Sequence, residues 1–146
     1  MKQLRIYLDT SVIGGCLDEE FAEESKALLQ MVTDGRIRLI VSDILVDELD
    51  QAPQEVQKKL GVLPPKHLEA VRQSKETERL RDLYLEAEVV GPAGKNDAHH
   101  VALATVARAD MIVSWNFKHI VHFEKIRGFN AVNLREGYLP IDIRSP

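Results

Sequence analysis

Leu4-Arg5-Ile6-Tyr7-Leu8-Asp9 is a short apolar run that ends on a carboxylate, and the same grammar recurs twice in the chain. Ile37-Arg38-Leu39-Ile40-Val41 leads into Ser42 and then Glu48, and Met111-Ile112-Val113 leads into Ser114 and Asn116. Runs this short and this continuously apolar read as strands covered on both faces, the pattern of a parallel sheet. Helical patterns alternate with them, so the expected fold is α/β: a three-layer α/β/α sandwich with a central parallel sheet. In such a sheet the polar residues after the strands arrive at one carboxyl edge, where open α/β folds place ligands. Asp97 opens a long apolar helix and joins them. Asp9, Glu48, Asp97 and Asn116 then form an oxygen donor set without histidine, which suits Mg²⁺ or Mn²⁺ rather than zinc.

Between the strands, Asp9-Thr10-Ser11 offers three helix caps and Gly14-Gly15 loosens the next residues, a pattern that predicts a short first helix or turn. Phe21, Ser25, Leu28, Leu29 and Val32 recur at helical spacing up to a glycine stop at Asp34-Gly35. Ser42 and Asp43 start another helix, with Glu48 about one turn beyond Ile44 and Leu45. Residues 52–63 read as a polar helix pair punctuated by Pro53, Gly61, Pro64 and Pro65. Leu68, Val71, Leu80, Leu83, Tyr84 and Ala87 suggest one long amphipathic helix or two shorter ones, followed by a short strand or extended link at Val89-Val90. Asn96 is the expected N-cap of the small-residue helix through Ala107. A short helix is expected over Phe123 to Arg127, a last strand at Ala131-Val132-Asn133-Leu134, and an extended tail after it.

A chain of 146 residues fits one compact domain spanning 1–146 and needs no disulfide to hold a core. No apolar stretch approaches the roughly 18 residues that span a bilayer, and the start runs directly into a strand instead of a signal peptide; the expectation is a cytoplasmic protein with no membrane partner. Cys16 is the lone cysteine and reads as a packing residue. A net charge of −4 advertises no broad electrostatic grip on nucleic acid. Basic residues do collect at Lys58, Lys59, Lys66, Arg72, Lys75, Arg79 and Arg81, either as a solvated helix face with pairs such as Glu78 and Arg81 or as a phosphate-binding rim.

Each candidate has an ordinary alternative. Asp9 would serve as an N-cap, Asp97 as a first-turn acid stabilised by the helix dipole by roughly 0.3–1 kcal/mol, and Glu48 as a surface residue between Asp47 and Asp50. Their common position relative to the strands is what favours a site. Asp110 is a control: it starts the strand that Ser114 ends, about 13 Å from the site mouth at about 3.3 Å per residue, and should not be a ligand. His99, His100, His119 and His122 lack the spacing of a zinc site. His99 and His100 project about 100° apart on a helix, so at most one faces the acids. Trp115 could stack on a planar ligand but reads better as packing. A phosphotransfer site of the haloacid-dehalogenase kind would need an aspartate where Ser11 stands.

Four stretches in order, Tyr7-Leu8-Asp9-Thr10-Ser11, Ser42 to Leu49, Asn96 to Ala104 and Ala109 to His119, resemble the motifs of PIN-domain proteins, of the kind found as VapC-type toxins of toxin–antitoxin pairs. The resemblance covers nearly the full length. It implies a Rossmann-like fold with a parallel sheet and a Mg²⁺- or Mn²⁺-dependent endoribonuclease that cuts RNA phosphodiesters with a metal-activated water. Position by position it implies Asp9, Glu48 and Asp97 as the acidic metal cluster and Ser114 as the family's small hydroxyl residue, with Thr10 and Ser11 supporting the ligands through hydrogen bonds. Asn116 departs from the pattern, since many members carry a fourth aspartate there; asparagine keeps an oxygen but removes a charge.

The resemblance also implies an antitoxin partner that inserts a segment into the acidic groove, and a homodimer. Two other readings stand beside it: a catalytically weakened PIN-like module that binds RNA or a protein without cleaving, motivated by Asn116 and the acidic total, and a metal-dependent DNase. No substrate-binding residue is assigned at this level.

Overall fold

In the computed structural model, which describes residues 3–146, five parallel strands form one sheet in the order β3-β2-β1-β4-β5. The strands are β1 (Leu4–Leu8), β2 (Ile37–Ser42), β3 (Leu68–Val71), β4 (Met111–Val113) and β5 (Asp142–Arg144). Helices α1 (Thr10–Gly15), α2 (Ala22–Thr33), α3 (Asp43–Asp50), α4 (Gln54–Gly61), α5 (Lys75–Glu86), α6 (Lys95–Val106) and α7 (Phe123–Arg135) connect them. The expected α/β/α sandwich is therefore the observed architecture. Among the described residues no helix is long and apolar enough to cross a membrane.

The pleat divides the strands between two cores. Ile6 and Leu8 of β1, Ile37 and Leu39 of β2 and Val113 of β4 pack with Val12, Ile13, Leu29, Val32 and Leu45 on the α1–α4 side. Tyr7, Ile40, Ile112 and Ile143 face the other way, against Leu80 and Tyr84 of α5, the whole middle of α6, and Phe129 and Val132 of α7. Alternate residues of a strand point to opposite faces, so strands apolar at every position require cover on both sides. Helix α6 is the extreme case: Ala98 through Thr105 are all buried, and its small side chains let it lie close to the sheet and to α5.

The amino edge of the sheet is clamped by Arg5. Its guanidinium donates to both oxygens of Glu69, at 3.0 and 2.5 Å, and to the carbonyls of Ala107 and Arg108 at the end of α6. Asp110 is held at the same edge, its Oδ2 accepting from the Arg5 backbone N–H at 2.8 Å, which keeps it away from the carboxyl edge as its position in sequence requires.

Five sequence expectations are corrected. Leu68 and Val71 belong to edge strand β3, not to a helix; an i, i+3 pair of apolar residues fits both, and the helix proper starts only after Ser74, whose side chain and that of Thr77 form a reciprocal capping box. Of the two readings of Val89-Val90, a short strand or a link, the strand is absent. Glu88 adopts a left-handed φ of 59°, and Val89 N–H donates to Tyr84 O while Glu88 N–H donates to Leu85 O, a Schellman closure of α5. Helix α6 starts at Lys95 after a 3₁₀ turn over Pro92–Gly94, with Gly94 as N-cap, so Asn96 lies inside its first turn. Finally, residues 131–134 continue α7, where Asn133 is buried and accepts from the Tyr84 hydroxyl at 2.5 Å; the last strand is Asp142–Arg144, within the supposed tail. The basic residues of α5 are also split: Arg79 pairs with Glu136, and Arg81 pairs with Asp82 instead of Glu78.

Candidate functional site

Strand order 3-2-1-4-5 reverses direction between β1 and β4, and a crevice opens where the connections from two such neighbours leave on opposite faces. Asp9 follows β1 and Ser114 follows β4, so the two side chains meet at that switch point. Ser114 Oγ donates to Asp9 Oδ2 at 2.9 Å and Ser11 Oγ donates to Oδ1 at 2.5 Å. The two hydroxyls are themselves fixed by backbone donors, Trp115 N–H to Ser11 Oγ and Asn116 N–H to Ser114 Oγ, both 2.9 Å. Trp115 stacks on Phe21 with ring centroids 4.2 Å apart, and its Nε1–H donates to Ser25 Oγ, so it packs the flank of this junction.

Asp9 is 4% exposed. Burial pushes its carboxyl above the usual carboxylate range, and the nearby charge of Asp97 adds to the rise, against lowering by the Ser11 and Ser114 hydrogen bonds and by His100. Both of its protein partners are neutral hydroxyls. A carboxylate taken out of water without a countercharge is costly, and here the residue sits beside a second acid.

Glu48 and Asp97 are each engaged by a histidine. Glu48 Oε1 bonds His100 Nε2, whose Nδ1 lies 2.5 Å from the Tyr7 hydroxyl, itself 2.7 Å from Ser42 Oγ. Ser42 Oγ accepts from Leu45 N–H as the N-cap of α3. An assignment with Ser42 donating to Tyr7, Tyr7 to Nδ1, and Nε2–H to Glu48 satisfies every atom of the chain. Burial holds the Tyr7 phenol far above its ordinary value, so it stays a donor. On the other side, His119 Nδ1 bonds Asp97 Oδ2 at 2.7 Å, while Asn116 Oδ1 accepts from His119 N–H at 2.9 Å. Asn116 therefore builds the turn that presents His119 to Asp97. A continuous hydrogen-bonded path runs Asp9–Ser114–Asn116–His119–Asp97.

Sequence reasoning treated the histidines as bystanders and missed these two contacts. The available signal was the i, i+3 spacing of Asp97 and His100 on one helix, which puts both on the same side; His99 points elsewhere, its Nε2 3.0 Å from Thr77 Oγ1.

The donors fit a hard divalent cation in their chemistry. Asp9, Glu48 and Asp97 supply anionic oxygens, Asp9 makes no ion pair among the described residues, and Thr10 Oγ1 is buried at the head of α1 with no hydrogen-bond partner. Among the described residues, however, no three His, Cys, Asp or Glu side chains stand close enough to share one ion; the structure turns Glu48 toward His100 and Asp97 toward His119.

A family model described as PIN domain matches residues 5–118, a span that includes all of these side chains but His119. The chain belongs to the PIN domain family. The fold of this PIN domain is similar to that in the crystal structure of VapBC2 from Rickettsia felis bound to a DNA fragment from its promoter, with TM-score 0.63 and 16% identity over 97% of this chain and 98% of that one. It is also similar to DNA-bound VapBC from Salmonella typhimurium, with TM-score 0.55 and 18% identity over 98% of each chain. No curated protein gives a significant match.

Proposed function

We propose that this PIN domain is a Mg²⁺- or Mn²⁺-dependent endoribonuclease and the toxin component of a type II toxin–antitoxin pair. The observation that carries the reading is the buried Asp9 carboxylate at the switch point, hydrogen-bonded only to neutral serine hydroxyls, with the charges of His100 and Asp97 acting on it in opposite senses. Family membership supports a nuclease, and the likeness in fold to chains of two VapBC assemblies supports a cognate antitoxin as partner. A cytoplasmic homodimer is the form in which such a toxin would act.

Asp9, Glu48 and Asp97 would hold the cation. When bound, a divalent ion supplies charge to a scissile phosphate and lowers the pKa of a water. The rest falls to the chain itself. Ser11 and Ser114 fix both oxygens of Asp9, with Thr10 Oγ1 left free for a ligand oxygen, and Asn116 holds the turn beside Asp97. The carboxylates alone would repel RNA, so occupancy of the site and substrate binding are coupled.

A second reading has its own observation. Both outer acids are hydrogen-bonded to histidines and the fourth position is Asn116, which favours a weakened module that binds without cutting. The test is incubation of the purified chain with a mixed RNA pool, and separately a DNA pool, in Mg²⁺, Mn²⁺ or EDTA, beside an Asp9→Asn control. Metal-dependent RNA cutting that the control lacks supports the nuclease; binding without cutting supports the module, and preference for DNA would replace RNA as the substrate.

A further inference from the structure

Glu48 stands at the end of a buried hydrogen-bonded chain. Tyr7 lies within central strand β1, paired with Ile40 of β2 and Ile112 of β4, and is fully buried; Ser42 and His100 are each 1% exposed. The Tyr7 ring meets the His100 ring edge-on, with centroids 5.6 Å apart. Glu48 differs from all three. Its side chain is 34% exposed, so water could solvate the carboxylate without help. A sheet residue, a helix cap and a buried imidazole are therefore lined up behind a group that needs no partner for its own solvation.

The chain also has a direction. A neutral imidazole donates from one nitrogen and accepts at the other. Were Nδ1–H to donate to Tyr7, Nε2 would turn a lone pair on the Glu48 carboxylate, acceptor against acceptor. The Tyr7 hydroxyl donating to Nδ1 removes that alternative and fixes the Nε2–H tautomer, with Ser42 supplying the proton that the Tyr7 oxygen accepts. Bonds in such a chain polarise and strengthen one another. At Asp97 the hold is looser: His119 is 17% exposed, comes from the turn that Asn116 builds, and makes no hydrogen bond through Nε2 among the described residues.

We infer that Tyr7 is a positioning residue which, through His100, latches Glu48 back from a site shared with Asp9 and Asp97 until a divalent cation draws it over. The inference rests on the metal-site reading for the identity of the ion. Three carboxylates gathered without a countercharge repel one another, and among the described residues no three acidic side chains stand close enough to share an ion. The Nε2–H of a neutral imidazole gives Glu48 a partner without adding charge. Only an ion whose attraction exceeds that bond moves the carboxylate, which favours a divalent over a monovalent cation.

The test has two arms on the full chain. In the first, ¹⁵N spectra of the metal-free wild type should show His100 as the Nε2–H tautomer. In the second, titration calorimetry with Mn²⁺ compares wild type, Tyr7→Phe, and Tyr7→Phe combined with His100→Leu, a pair that removes both partners of a buried bond so that neither is left unsatisfied. Tyr7→Phe should bind Mn²⁺ about fivefold tighter and the double variant about tenfold tighter or more. A residue that only supports the fold would do the opposite, since a loosened site binds less well. Tyr84→Phe is the control: that tyrosine is equally buried but its hydroxyl serves Asn133, and Mn²⁺ affinity should not move. The inference falls if Tyr7→Phe binds Mn²⁺ with the wild-type affinity or more weakly, or if His100 is found as the Nδ1–H tautomer. Mn²⁺ binding indifferent to Tyr7 would remove the latch and leave the metal site standing; a locked tautomer with no Mn²⁺ binding by wild type or variants would remove both.

Discussion

Replacing Asp9 by asparagine should make the metal-free protein more stable and useless as a nuclease. The wild-type side chain is an almost fully buried carboxylate held by two serine hydroxyls, with no cation partner and with Asp97 nearby. Asparagine keeps the shape and removes the charge. Its NH₂ group cannot accept, so one serine loses an acceptor for its proton, a loss of about 0.5–1.5 kcal/mol. Relief of the buried charge is worth more, since the effective desolvation of an unpaired ion reaches several kcal/mol. The expected net gain is about 1–2 kcal/mol, typical of substitutions that relax a strained functional site, or about 2–8 °C in Tm at this chain length.

The pH dependence comes from the raised carboxyl. Below the unfolded-state value of about 3.9 Asp9 is protonated in both states and contributes no penalty. The penalty develops as pH rises through the higher folded-state value. The advantage of Asp9→Asn should therefore vanish near pH ~3 and grow as pH rises. Adding Mg²⁺ should invert the order, because a ligand that binds only the folded parent adds about 2.7 kcal/mol at a hundred times its Kd. Scanning calorimetry of both proteins in EDTA and in Mg²⁺ at several pH values decides it. An asparagine variant that melts below the parent in EDTA at neutral pH, or an advantage indifferent to acid, would refute the account of Asp9 as an uncompensated charge.

Gly15→Ala should destabilise by about 1–3 kcal/mol through overpacking, because a Cβ there would sit 2.6 Å from Ser25 Oγ and 3.0 Å from the Trp115 ring; urea unfolding with an unchanged m-value would measure it. Glu69→Gln should cost about 1–2 kcal/mol at neutral pH, since hydrogen bonding from Arg5 holds the Glu69 carboxyl below its usual range. That stabilisation is present above the ordinary glutamate value and lost as pH falls through the depressed folded value, so the difference in urea midpoint from wild type should shrink in acid, with cleavage untouched because Glu69 and Arg5 lie at the opposite edge of the sheet. Asn116→Asp keeps the oxygen that His119 N–H needs and adds a charge, so titration calorimetry should show Mn²⁺ binding tighter on the order of tenfold; unchanged affinity places residue 116 outside the metal shell.

The three central strands were legible because each is apolar on both faces and ends abruptly on a polar residue, a pattern that only a doubly covered strand sustains. Edge strands β3 and β5 hid because an edge needs few packed side chains: β5 buries only Ile143, and Leu68 and Val71 are spaced as helix residues would be. The site divides along the same line. Asp9 and Ser114 could be placed from sequence since the strand itself delivers them, whereas the bonds of Glu48 to His100 and Asp97 to His119 join residues 52 and 22 positions apart and depend on how α3, α6 and the turn after β4 are packed. Those bonds bear directly on function. Each histidine occupies an oxygen that a cation would use, so metal entry has to compete with a hydrogen bond at both outer acids, while at Asp9 it meets only serine hydroxyls. On the proposed metal-site reading, Asp9 would be the first point of capture and the histidines would set how far Glu48 and Asp97 turn toward the ion; removing His100 by substitution to alanine should leave the first contact intact and change the closing one, which calorimetric enthalpies of Mn²⁺ binding by His100→Ala and Asp9→Asn would separate.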